Sequence, residues 1–410
     1  MGNFLEPLEP RRLMAAGDLD PTFGSGGVAT LRGASGKGYS GSDSSTYANP
    51  RQIAVDSVGR TLVLSSRIDH PMRDPKDFLD LQRLTADGRP DSRFAIGTRG
   101  MMTVPIQYIG GHDTAKILVD AKDRITVLAG WTLYYFTSSG KPDRSRGDRG
   151  HVDLSDDPFF YPEDMASSPD GGVTISGTVE GLKPERFVRV KGVSADGELA
   201  TLLDAPPITS TPQGATITQV ETSQSSLRAL PDGTTVVQTD LHSSYADGSQ
   251  MFKLTAAGTL DRTYGKNGRR NLFGVSPTGL IDDGTAVWDD GNRFYTIDAN
   301  GRDAGRIADF NSDFSPDAFF REPDGRLLAL DDYGGTLRRY NADYTRDRTF
   351  DARYSITGAE AVAISRSGEI LFATTGPSHR EEVDDGNGLY VTTVRNGSDN
   401  RFDVRRVFGM

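Results

Sequence analysis

The sequence predicts an all-β fold: a β-propeller of about seven four-stranded blades, with the ring closed by N- and C-terminal strands. Three observations predict it: a Gly-x-x-Asp motif that recurs along the chain, a turn-centred hairpin that precedes it, and a composition suited to turns. The 410 residues include 47 glycines and 21 prolines, with 36% hydrophobic residues, a balance that favours short strands and frequent reversals over long helices. A chain this long would ordinarily form two or three domains, but a repeat array can use all of it as one unit.

The motif is clearest in three segments that align without a gap, Gly17–Gly27, Gly140–Gly150 and Gly258–Gly268. Asp20, Asp143 and Asp261 occupy the same place in each, as do Gly24, Gly147 and Gly265. A looser copy runs from Gly88 through Asp91 and Phe94 to Gly100, and another contains Asp347 and Phe350. The hairpin is clearest at Gln52–Leu64, where Val58-Gly59 separates two strand-forming runs. Six relatives turn at Lys122-Asp123, Asp170-Gly171, Asp232-Gly233, Asp290-Gly291, Asp324-Gly325 and Ser367-Gly368.

A third strand (Phe78–Leu84, Met251–Leu254, Leu337–Tyr340) leads into the motif, and a fourth (Met101–Val104, Val152–Leu154) follows it. Four short strands per repeat is the signature of a propeller blade. The N-terminal unit has a motif and one strand, Gly27–Leu31, but no hairpin before it. That strand can complete the blade begun near Ala361 and remove two exposed sheet edges. Arg401–Phe408 is the alternative outer strand of the same blade.

The repeat resembles the delta-60 family, through Arg83–Gly88, Gly17–Gly27 and Gly258–Gly268. The likeness extends over nearly all of residues 17–410, read as a single propeller, and is looser in the third, fifth and seventh blades. There Gly197-Glu198-Leu199-Ala200 lacks the Asp, and the unit around Asn300–Asp303 lacks the Phe-Gly. Residues 1–16 form a separate targeting-like or disordered segment. Its run Phe4–Ala16, with Leu8-Glu9-Pro10-Arg11 at its centre, resembles the LEPR-XLL segment that heads many large exported proteins of planctomycete-type bacteria. Together the two likenesses imply a bacterial secreted or cell-surface protein, with no activity generally assigned to the repeat.

Composition narrows the partners. A net charge of −11 gives no basic footprint for nucleic acid. No apolar run approaches the roughly 18–20 residues of a membrane span. With no cysteine, disulfides and thiolate chemistry are excluded. An unknown extracellular ligand or protein and a monomeric state are therefore expected.

No catalytic constellation stands out. Among the five histidines, His70, His112, His151, His242 and His379, none shows metal-ligand spacing, and no nucleophile elbow, phosphate loop or dinucleotide fingerprint is present. Asp298–Asp303 has the outline of a calcium loop, but Arg302 stands at a ligand position, so it reads as a strand turn. The motif Asp is expected to pin a turn rather than bind calcium, and the motif aromatic to anchor packing. The stretches Gly33–Pro50 and Asp204–Ser226 read as loop insertions.

One candidate site emerges when the hairpins are aligned on their turns. Eight residues upstream of each turn glycine, or its equivalent, stand Arg51, Ala115, Glu163, Ser225, Asp283, Asp317 and Glu360. If all enter innermost strands, Arg51, Glu163, Asp283, Asp317 and Glu360 ring the mouth of the central channel. There they would bind a ligand, raise one another's pKa or recruit a divalent cation such as calcium. No cofactor is otherwise expected. The expected function is an extracytoplasmic binding or structural propeller for a carbohydrate, peptide or matrix component. The alternative is a metal-dependent propeller hydrolase or lactonase at the channel mouth.

Overall fold

A computed structural model describes residues 19–407 apart from 33–46, 70–75, 97–99, 107–113, 158, 169, 181–185, 206–219, 244–246, 292, 308–313, 315, 317, 332–335, 351–358, 376–378, 385–389 and 396–400. Its strands form seven antiparallel sheets arranged as blades, with no helix among the described residues. From the innermost strand outward, blade 1 is Tyr47–Val55, Thr61–Asp69, Lys76–Leu84 and Met101–Ile106, and blade 2 is Ala115–Val119, Ile125–Ala129, Thr132–Phe136 and His151–Asp153. Blade 3 is Phe160–Ser167, Val173–Glu180, Arg186–Val193 and Leu199–Ala205, and blade 4 is Val220–Ala229, Thr235–Ser243, Gly248–Leu254 and Arg269–Phe273. Blade 5 is Ser276–Leu280, Ala286–Asp289, Phe294–Ile297 and Asp303–Arg306, and blade 6 has three described strands, Ala318–Arg321, Leu327–Asp331 and Thr336–Tyr340.

Blade 7 contains both ends of the chain. Ala359–Ile364, Ile370–Thr375 and Arg401–Val407 are followed by Val28–Arg32 as the outermost strand, paired from Val28↔Arg405 to Arg32↔Arg401. Both terminal strands therefore belong to one sheet, the C-terminal one third and the N-terminal one fourth. A further hairpin, His379–Asp384 with Tyr390–Arg395, is inserted between the second and third strands of this blade.

Two expectations need correction. Gly33–Pro50 and Asp204–Ser226 are not wholly loops, because Tyr47–Pro50 and Val220–Ser226 already belong to inner strands. Asp290-Gly291 does not join the first two strands of blade 5. That turn is Ile281–Thr285, centred on Gly284, and Asp290-Gly291 joins the second and third strands. Two turn-forming pairs, Asp283-Gly284 and Asp290-Gly291, flank a strand of only four residues, so residue type did not distinguish them.

The core is a ring of blade-to-blade clusters, because a sheet with both faces buried must pack against a neighbour on each side. Leu62, Leu81, Ile117 and Val127 fill the space between blades 1 and 2. Phe23, Ala29, Ile53 and Leu371 fill the closing interface between blades 7 and 1.

The repeated motif forms a lock between successive blades. In blade 1, Arg83 on the third strand donates from Nε to Asp91 Oδ2 at 2.9 Å, and its guanidinium lies 4.6 Å from the Phe94 ring centroid. Blade 6 repeats the arrangement with Arg339, Asp347 and Phe350, and blade 7 with Arg406, Asp20 and Phe23. Blade 2 exchanges the partners, with Arg146 in the motif stacked 4.0 Å from Tyr135 on the strand. Each motif Asp also accepts the backbone N–H two residues on, as Thr22, Arg93, Ser145, Thr263 and Thr349 show. The expected turn-pinning role of the motif Asp is what the structure shows.

The lock then reaches forward. Backbone N–H groups of Gly24, Ala95, Gly147 and Gly265 donate to Asp87, Ser139, Asp196 and Asn300, each in the next blade's outer turn. The motif aromatic covers a glycine there. A Cβ on Gly140 would lie 2.7 Å from Phe94, and one on Gly88 2.9 Å from Phe23. Where blade 3 lacks the aromatic, Leu202 covers Gly258 instead. Where blade 5 lacks it, Tyr344 of blade 6 reaches back against Gly305.

Candidate functional site at the channel mouth

Strand direction gives the ring two faces. The locks, the inner hairpin turns and the third-to-fourth strand turns lie on one. Inner strands begin at the other, the mouth face.

Three of the seven aligned positions stand out as bulges. The register of the inner hairpin shifts between Pro50 and Gln52, between Pro162 and Asp164, and between Ala359 and Ala361, leaving Arg51, Glu163 and Glu360 as the extra residues. A bulge turns its residue out of the strand alternation at a sheet edge. Arg51 is exposed and its Nε donates to Ser66 Oγ at 2.9 Å.

Glu163 lies between blades 3 and 4. Its carboxylate accepts hydrogen bonds from Thr178 Oγ1 at 2.9 Å and Ser225 Oγ at 2.6 Å. Burial pushes its pKa up to about 7, against the lowering effect of the two hydroxyls, and the negative charge of Asp240 adds to the rise. Ser225, also among the aligned positions, thus joins the site directly.

One residue of the expected ring lies elsewhere, and two cannot be placed. Asp283 is not at the mouth: it belongs to the Ile281–Thr285 turn at the far end of its strand, on the lock face. There it accepts from Thr285 N and from Arg321 Nε at 2.8 Å. Asp317 lies outside the described residues, as does the side chain of Glu360. His112, expected before an inner strand, also lies outside them.

Among the described residues, the inner strands carry paired charges. Asp164, beside Glu163, accepts from Leu227 N at 3.1 Å and Arg228 Nη1 at 2.9 Å, and Lys116 Nζ lies 3.4 Å away. Burial alone would raise the Asp164 pKa, but Lys116 and Arg228 overcome it and hold the carboxylate below its usual range. Arg228 also pairs with Asp282 of blade 5 at 3.1 Å. Gln52 Oε1 accepts from Ile117 N at 2.7 Å, so side chains of one blade cap the open inner edge of the next. Two chain neighbours thus differ: Asp164 is a committed anion, and Glu163 can exchange its proton near neutrality. Among the described residues no three His, Asp or Glu side chains form a metal cage.

These strands and contacts define a seven-bladed β-propeller. The sequence matches no protein-family profile and no curated protein. Solved propellers are similar in outline. A polysaccharide lyase, Uly1, has 10% identity and a TM-score of 0.49, over 91% of this chain and 94% of its own. A Penicillium chrysogenum α-L-arabinanase complexed with arabinobiose has 9% and 0.44, over 89% and 95%. A calcium-binding regucalcin from Agrobacterium tumefaciens has 14% and 0.37, over 89% and 92%. All three scores lie below 0.5, so the fold rests on the strand pairing itself.

Proposed function

We propose that this chain is a binding propeller acting outside the cytoplasm, and that it engages its partner through the mouth face. The observation that carries this reading is a division of labour. The lock face is occupied by Arg–Asp pairs, stacked rings and turn hydrogen bonds that hold blades together, whereas the mouth face offers bulged Arg51 and Glu163. Recognition residues are expected on the side that packing leaves available. The delta-60-like repeat and the LEPR-XLL-type head support a secreted or cell-surface location, and the partner classes remain carbohydrate, peptide or matrix component. No helix among the described residues is long and apolar enough to cross a membrane.

The test is an array of glycans and matrix peptides probed with the whole chain and with substitutions on each face. Arg51→Ala and Glu163→Gln are expected to weaken binding of a channel-mouth ligand, and Val58→Lys on the lock face to leave it unchanged. The reverse pattern would overturn the reading.

A second reading, a metal-dependent hydrolase or lactonase, is favoured by one feature: a carboxyl that titrates near pH 7 suits proton transfer. A stoichiometric divalent cation in the purified protein, with Glu163-dependent turnover of a lactone, would establish it in place of simple binding.

A further inference from the structure

Between blades 4 and 5 a groove of about 1180 Å³ opens at the rim of the mouth face. Blade 5 creates it. Its second, third and outer strands are four residues long, whereas the second and third strands of blade 4 have nine and seven. The flank of blade 4 therefore overhangs a recess.

Cross-strand pairing sets Trp288 opposite Tyr295 and Tyr295 opposite Arg306. The two aromatic rings stack at 4.5 Å with 17° between their planes. Arg270 of blade 4 bridges to Asp303 of blade 5 at 2.7 Å, fixing the walls relative to one another.

We propose that this groove binds a neutral oligosaccharide, one sugar ring stacking against the Trp288–Tyr295 pair. Four observations lead to that class. Stacking holds the two rings rigidly against each other, and the negative π character of an outer ring face is complementary to the weakly positive C–H face of a pyranose. The lining charges, Arg270 and Arg306 against Asp290 and Asp303, cancel, so the groove selects for neither a polyanion nor a polycation. Trp288 Nε1 and Arg270 Nε are buried donors without a hydrogen-bond partner, and sugar hydroxyls supply acceptors for both after a small adjustment of the side chains. The volume exceeds the roughly 300–1,000 Å³ of most small-molecule sites, which suits several linked rings. A peptide adding to the exposed edge of Asp303–Arg306 would gain few backbone bonds, because that strand has only four residues.

The site is separate from Glu163, and its test separates the two. The chain has two tryptophans, Trp131 and Trp288, so Trp131→Phe leaves Trp288 as the only indole reporter. The probes are laminarin, soluble xylan, galactomannan and pullulan, with alginate as a polyanionic control, read by Trp288 fluorescence and by affinity electrophoresis. At least one neutral polysaccharide is expected to shift the emission and retard the protein, and alginate to do neither. Trp288→Ala is expected to weaken retardation at least tenfold. Ala304→Arg, on an exposed residue lining the groove, obstructs it without disturbing the core and is expected to do the same, while Val58→Lys on the lock face leaves it unchanged. No response to any neutral polysaccharide, a response to alginate alone, binding unaffected by Ala304→Arg, or capture of extended peptides instead would overturn the proposal.

Discussion

The Phe94 ring of blade 1 lies against Gly140 of blade 2, whose φ of +79° points its missing Cβ to within 2.7 Å of the ring. Gly140→Ala combines a disfavoured backbone with a steric overlap and is expected to cost about 3 kcal/mol. Gly291→Ala, at φ +86° with nothing within 4 Å, isolates the backbone part, about 1 kcal/mol. Urea denaturation of the two variants measures the difference; equal losses would show that the Phe94 ring gives way to the added methyl without cost.

Arg83 and Asp91 form a buried pair, 4% and 8% exposed. Removing one partner leaves an uncompensated charge, so Asp91→Asn is expected to destabilise by about 3 kcal/mol. In the double variant Arg83→Met/Asp91→Asn most of that loss should return, because neither charge remains to be solvated. A double-mutant cycle by thermal or chemical unfolding checks it.

Glu163 has a direct pH consequence. Its folded pKa of about 7 stands above the ordinary 4.5, so the folded state holds the proton more tightly than the unfolded chain. The associated stability is present below about pH 4.5 and is lost as pH rises through 7, by up to ~3 kcal/mol. Glu322, buried and likewise raised to about 7, works in the same direction. Stability curves between pH 4 and 8 are expected to flatten in part for Glu163→Gln and further when Glu322→Gln is added.

Ring closure depends on Val28–Arg32 pairing with Arg401–Val407. Removing residues 1–32 exposes the third strand of blade 7 and takes away Asp20 and Phe23 of its lock. A lower melting temperature and concentration-dependent association are expected, measured by calorimetry and size-exclusion chromatography.

The ring was legible in the sequence because its locks use few residue types at fixed spacing. Glycine must take a positive φ, Asp must cap a turn, and an aromatic must cover the next glycine. The same rule hid its exceptions: Leu202 and Tyr344 do the aromatic's work from outside the motif, and Tyr344 does so from the following blade. At the mouth, the eight-residue offset found the bulges at Arg51, Glu163 and Glu360, because those inner hairpins share a length. It failed at Asp283, where the turn was assigned seven residues too late. Charge pairing was also hidden, since Lys116, Asp164 and Arg228 meet only across three blades. The Trp288–Tyr295 pair needs both strand register and the overhang of a neighbour, neither of which is written locally.

The turn hydrogen bonds of the locks run from one blade to the one after it, and Tyr344 alone of the covering rings described above reaches the other way. An opened ring would therefore end in a plug on one side and a socket on the other, and copies could string together head to tail without limit. By giving the plug a socket within the same chain, the shared sheet of the two termini makes the assembly finite.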